Sequence, residues 1–232
     1  MAKSDHCWAP TLTTFSLFIL GALLAGCVST TGTKASMTGT DLAQVRKAGV
    51  FVESPHPIAV RVARDNMTNT GAALFGLVGA AVEAGYKSSK DSGHADNLLT
   101  AIGNFDPAHE SAVALRDRFA AAHVFQSVAI VTSDNRRAAQ SDGFDALFHQ
   151  TIEEWGLRLC GGEDRVRVEL DVHMRLMTLP EGAVKWERDE LMIDGVCRPI
   201  SEFQANPELL RTSLKSALNT LAGRTVNEIA FP

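Results

Sequence analysis

The chain has 232 residues, a formal net charge of −5, 45% apolar residues and a mean hydropathy of +0.01. That length suits one domain of moderate size with a sizeable buried core. The acidic balance argues against nucleic-acid binding, which needs a basic face.

The first informative segment is N-terminal. Lys3 precedes an apolar run from Phe15 to Leu24, which ends in Leu24-Ala25-Gly26-Cys27. A positive start, a 7–15-residue apolar stretch and small residues at a cleavage point are the parts of a signal peptide. At 1.5 Å per residue the run is too short for a hydrocarbon core of ~30 Å. The cysteine directly after the small residues resembles a bacterial lipobox. The alternative is an ordinary signal, or a short membrane helix that holds a cysteine. The resemblance implies that residues 1–26 are a signal peptide and that Cys27 becomes the first mature residue. It would then carry diacylglycerol and an N-acyl chain of the palmitate type. Each buried CH₂ contributes ~0.8 kcal/mol and one chain binds only reversibly, so three chains give a lasting membrane anchor. Val28 in place of Asp points to the outer membrane under the sorting pattern of enteric bacteria. Cleavage leaves 206 residues and the same net charge, because Lys3 and Asp5 leave together. With no second long apolar segment, the body is expected to be soluble, tethered and periplasm-facing.

Residues 28–40 (VSTTGTKASMTGT) are rich in Ser, Thr and Gly and are expected to be a flexible tether after the lipidated Cys27. A single periplasmic domain is expected over 41–232. Two short β-type segments follow, Val50-Phe51-Val52 and Ile58 to Val62, split by the Pro55-His56-Pro57 turn. Residues 71–85 (GAALFGLVGAAVEAG) place Ala72, Gly76, Ala80 and Ala84 every four residues, a ridge of small side chains on one helix. Such ridges let another backbone approach closely. A glycine-zipper contact in an oligomer or at a membrane competes here with a partner-binding hairpin and with tight packing against the protein's own sheet. Glycine inside a helix costs ~1 kcal/mol relative to alanine, so the internal glycines need a reason.

Lys87 to Asn97 reads as a polar loop. Asp106-Pro107 reads as an N-cap with proline at the first helical position, and Ala108, Ala112, Leu115 and Phe119 share one face to about Ala122. Phe125 to Val131 reads as a strand and Asp134 to Gly143 as a polar connection. From Phe144 to Leu159 the spacing is ambiguous. Phe144, Leu147, Phe148, Ile152 and Trp155 fit a helix, whereas Trp155, Leu157 and Leu159 alternate as in a strand. Val166 to Leu176 alternates cleanly as a strand with one wet face. Leu179-Pro180-Glu181-Gly182 makes a turn, and Ala183 to Ile193 returns as the second strand of a hairpin. Its apolar parity changes between Trp186 and Leu191, which predicts a bulge. Asn206-Pro207 caps a last helix with Leu210, Leu214, Ala217, Leu218 and Leu221 facing inward. The fold class is therefore α+β: an antiparallel or mixed sheet with a long C-terminal hairpin, packed by two or three helices.

Of four cysteines, Cys7 leaves with the signal and Cys27 takes the lipid. Cys160 and Cys197 remain, and in an oxidising periplasm they read first as a disulfide; two free buried thiols are the alternative. A reactive Cys160 in its Gly-Gly-Glu-Asp loop would need protection there, which again favours pairing.

Phe119, Phe125-Gln126-Ser127-Val128, Asp145-Ala146-Leu147 and Ala183-Val184-Lys185-Trp186 follow an order of helix, "F-x-x-V" strand, "D-A-L" strand and hairpin. Over roughly Asn104 to Asn227 this resembles a group of envelope lipoproteins. They are the curli-secretion channel lipoprotein, the lipoprotein activators of penicillin-binding proteins and the N-terminal domain of the Tol-system propeller protein. The glycine-rich segment and the cysteine pair depart from that group. The resemblance implies that Asp145 to Leu159 is a strand despite its helical spacing. It also implies a non-catalytic accessory or assembly role.

No G-x-S-x-G elbow, H-E-x-x-H, phosphate loop or dinucleotide fingerprint occurs. No cofactor or metal is expected. Asp171 and His173 share a strand face with His149 nearby, a pattern that is usually just solvated. Glu153-Glu154 and Glu187-Arg188-Asp189-Glu190 read as solvated charge runs. Two functions stay open. One is a lipid-anchored module that binds or assembles a cell-envelope protein partner, with homo-oligomerisation as a further option. The other is a periplasmic hydrolase using His149, His173 and nearby acidic residues.

Overall fold

The structure is a computed structural model and describes residues 28–35, 37–56, 59–61, 98, 102–160 and 164–231. The signal peptide, Cys27, the small-residue segment 71–85 with Ala72, Gly76, Ala80 and Ala84, and the 87–97 loop lie outside the described residues.

The chain forms α+β architecture with a mixed sheet and five helices among the described residues. The elements are β1 (Val28–Ala35), α1 (Gly39–Gln44), β2 (Lys47–Glu53), β3 (Ala59–Arg61), α2 (Pro107–Ala121), β4 (Ser127–Ile130) and α3 (Arg136–Ser141). Then come β5 (Ala146–Leu159), β6 (Arg165–Thr178), β7 (Val184–Ile193), β8 (Arg198–Pro199), α4 (Ile200–Ala205) and α5 (Pro207–Ala230). The sheet order is β1-β7-β6-β5-β2-β4, with β3 also pairing β5 and β8 also pairing β6. From β5 to β1 the pairings are antiparallel, whereas β2 runs parallel to both β5 and β4. Helices α2 and α5 pack against each other and cover one face of the sheet.

The long helices start as their sequences dictate. The Asp106 side chain accepts from the His109 amide ahead of Pro107, and Asn206 accepts from the Leu209 amide ahead of Pro207. Their inward residues Leu115, Phe119, Leu210, Leu214, Leu218 and Leu221 are buried. Under them Phe125, Phe119, Phe148 and Trp186 form a chain of aromatic contacts with ring centroids 5.2, 5.4 and 6.0 Å apart. Residues 146–159 are strand, because pairing with β2, β3 and β6 on both sides outweighs the local helical spacing. The apparent helical period arises from an irregularity between Ile152 and Glu154, which returns Trp155 and Leu157 to the helix-covered face.

Four expectations change. Residues 28–35, expected within the flexible tether, instead form β1, antiparallel to β7 from Val28–Ile193 to Ala35–Glu187. The exposed edge of β7 offers unpaired amides and carbonyls that a Thr-rich chain satisfies readily. The expected polar connection 134–143 contains α3, capped by Asn135, whose side chain accepts from the amides of Arg137 and Ala138. The predicted bulge between Trp186 and Leu191 is not there; the register slips nearer the turn, where Leu176–Met177 face Trp186 and Val184. Trp186, Arg188, Glu190 and Met192 all face the helices. The apolar parity breaks because charged residues occupy core-side positions. Glu190 is fully shielded between Arg224 at 3.3 Å and Arg188 at 3.7 Å, and Arg188 also pairs with Glu228. That half of the charge run is therefore interior; buried charges persist when paired.

Asp145 explains the "D-A-L" position. Its carboxylate accepts the Arg46 and Lys47 amides at 3.0 and 2.9 Å, and its own amide donates to the Lys47 carbonyl at 2.9 Å. The residue thus joins the start of β2 to the start of β5.

Candidate functional site

The face of the sheet opposite α2 and α5 carries the polar groups singled out in the sequence. Cross-strand partners share a face, so the register fixes two rows across β2, β5, β6 and β7. One row is Phe51, His149, Arg175 and Glu187; the next is Glu53, Thr151, His173 and Asp189. His149 and His173 therefore stand on adjacent rows of neighbouring strands, as the sequence suggested, and Asp171 lies one row further along.

His149 is 5% exposed. Its Nε2 is 3.2 Å from Glu53 Oε1, its Nδ1 is 3.0 Å from the Arg175 guanidinium, and its ring meets Phe51 edge-on at 5.1 Å. Burial and the Arg175 charge push its pKa below the ordinary histidine value, against the opposing pull of Glu53. The neutral imidazole protonated at Nε2 satisfies both neighbours: it donates to Glu53 and accepts from Arg175. His173 is half-buried, with Nδ1 hydrogen-bonded to Asp189 at 2.7 Å and Nε2 3.4 Å from Glu187.

A histidine acting as general base must turn one nitrogen toward a reacting group, directly or through one water. Here both nitrogens of His149 and the Nδ1 of His173 are held by hydrogen-bond partners, and the Nε2 of His173 faces Glu187. The two histidines share a face but form no nucleophile–base pair with a described serine or cysteine. Among the described residues no group of three or more His, Cys, Asp or Glu could hold a metal ion. No helix among them is long and apolar enough to cross a membrane.

Cys160 and Cys197 form a disulfide with Cα atoms 6.1 Å apart. It ties the end of β5 to the segment entering β8, beside Arg165, whose guanidinium donates to the Cys197 carbonyl at 2.8 Å. Neither cysteine is a nucleophile in this state. Elsewhere, Asp41 at the start of α1 receives Lys185 Nζ at 2.8 Å. Lys185 and the Thr38 side chain and amide lower the Asp41 pKa to about 2. Sequence reasoning missed this pair, because 144 positions separate its members. A shallow hollow beside it, lined by Leu42, Val45, Arg46, His123 and Phe125, gathers no catalytic constellation.

No family model matches the chain, and no curated protein matches it. Among solved structures the chain is similar to a PelC dodecamer from Paraburkholderia phytofirmans, at 15% identity and TM-score 0.47, over 88% of this chain and 98% of that one. It is also similar to a DUF330 protein from Xanthomonas campestris, at 10% identity and TM-score 0.42, over 86% and 93%. A minor lipoprotein from Acinetobacter baumannii matches at 10% identity and TM-score 0.32, over 80% and 91%. At these scores the likenesses carry no argument about activity or partners. None of the three names belongs to the curli-secretion, penicillin-binding-protein activator or Tol-propeller group that the sequence motifs resemble.

Proposed function

We propose that the chain is a lipid-anchored envelope lipoprotein, held at the outer membrane through Cys27, that binds or assembles another envelope component and performs no catalysis. The observation that carries this reading is Leu24-Ala25-Gly26-Cys27 after an apolar run too short to span a bilayer. The geometry of the sheet face supports the second half. His149 is held on both nitrogens by Glu53 and Arg175, and His173 sits between Asp189 and Glu187, so neither ring is set against a serine or cysteine nucleophile as the hydrolase alternative would need. A rigid sheet backed by two helices and closed by a disulfide suits a binding module, whose affinity gains from preorganised surfaces.

The test has two arms. Metabolic labelling with an alkyne fatty acid is expected to mark the wild type and to fail on Cys27→Ser; equal labelling of both would refute the anchor. The doubly substituted His149→Gln/His173→Gln protein, checked for normal folding, is expected to retain full function in cells. Loss of function in a folded double variant would favour the hydrolase instead.

A further inference from the structure

We propose that one end of the sheet, made by the start of β6, the end of β7 and the disulfide-tied segment entering β8, rests directly on the bilayer that holds Cys27. The inference rests on the lipoprotein reading above and adds to it an orientation and a contact surface.

The argument begins with register. Strand β1 starts at Val28, which pairs with Ile193, which in turn pairs with Glu169. Consecutive Cα atoms are 3.8 Å apart, so no spacer separates the lipidated residue from the folded sheet. Both β1 and β6 are antiparallel to β7, so they run in the same direction, and Val28 is level with Glu169. Arg165 to Val168 extend past that level by about 13 Å at ~3.3 Å per residue, of which the single Cα step back to Cys27 recovers at most about 3.8 Å. Strand β8 lies beside them, with Arg198 opposite Val166 and Pro199 opposite Arg165. The headgroup layer on each side of a bilayer is only about 5–8 Å deep. With its strands along the bilayer normal, a sheet that projects further than this beyond its own anchor enters the headgroups.

The chemistry of that end fits such contact. Val196 is one of three exposed large hydrophobic residues among those described, at 38% exposure, and lies between Ile193 and the disulfide. Arg165 is exposed and Arg167 half-buried. Long arginine side chains lay their stems on apolar surface and reach phosphate oxygens with their heads. The Cys160–Cys197 bond holds the two contributing segments together. A second exposed valine, Val184, sits at the opposite end of the sheet beside Met177, roughly 30 Å along β6. It provides an internal control.

The full lipidated protein would be placed in phosphatidylcholine vesicles whose acyl chains carry bromine, as Val196→Trp and, separately, as Val184→Trp. Intact-mass analysis of the Cys27 peptide accompanies each sample. The added emission of Val196→Trp is expected to be largely quenched and that of Val184→Trp to be unaffected. A lipidated Val196→Trp with unquenched emission, or quenching of Val184→Trp instead, overturns the orientation while leaving the anchor intact. A Cys27 peptide without acyl mass overturns both readings. Should Val196→Trp fail to fold, amide hydrogen exchange on the wild type decides. Slowing at 194–198 on vesicles relative to detergent, with the 179–184 turn unchanged, is expected. Equal exchange on the two supports contradicts the contact.

Discussion

Removing the Asp145 carboxylate should separate the start of β2 from the start of β5. In the native structure it accepts two backbone amides, Arg46 at 3.0 Å and Lys47 at 2.9 Å. Hydrogen bonds to a charged group contribute roughly 1.5–3 kcal/mol each, and a half-buried carboxylate belongs at the lower end. Asp145→Ala should therefore destabilise the protein by about 3 kcal/mol. For a chain of this size each kcal/mol corresponds to roughly 2–4 °C, so Tm should fall by about 6–12 °C. Asp145→Asn keeps an oxygen acceptor without the charge and should lose about half as much. The assay is urea unfolding of the chain from Val28 onward, followed by the fluorescence of Trp155 and Trp186, with thermal melts beside it. An Asp145→Ala protein within about 0.5 kcal/mol of wild type, the range of ordinary surface substitutions, would refute the assigned role.

Phe148→Ala, which removes the middle of the aromatic chain between Phe119 and Trp186, should cost about 3–5 kcal/mol in the same urea assay. Opening the disulfide as Cys160→Ser/Cys197→Ser should cost about 4 kcal/mol in the chain-entropy model, for a separation of 37 residues, and unfolding midpoints of oxidised and reduced wild type should differ alike. His149 has a folded pKa below its unfolded value of 6.5, so the unfolded chain binds more protons between the two values. Its contribution is complete above pH 6.5 and is lost as pH falls from there toward the folded pKa; His149→Gln should flatten that part of the stability–pH curve. Lys185→Met should raise the Asp41 pKa from about 2 toward 3.8, read by NMR titration of the side-chain carboxyl.

Much of the fold was legible because local and tertiary signals agreed. Asp106-Pro107 and Asn206-Pro207 cap their helices as read, and the alternation from Val166 to Leu176 lies within β6. The failures lie where pairing or charge overrode pattern. Residues 28–35 look like a spacer because their composition has no apolar period, yet the free edge of β7 needs only backbone. Arg188 and Glu190 imitate a solvated run, because the residues that shelter them, Arg224 and Glu228, are 34 or more positions away in α5. His149 and His173 were correctly brought to one face, since strand parity is local. That they are set against Glu53, Arg175, Glu187 and Asp189 depends on three strand pairings and could not be read from spacing alone. The cysteine pair was legible from compartment chemistry alone.

The most direct test of the central claim is in-cell crosslinking of the tagged, lipidated chain with mass spectrometry of the captured species, alongside Cys27→Ser. The account predicts a defined envelope partner, or a ladder of self-crosslinks, that depends on Cys27. A clean monomer with no specific partner would contradict it.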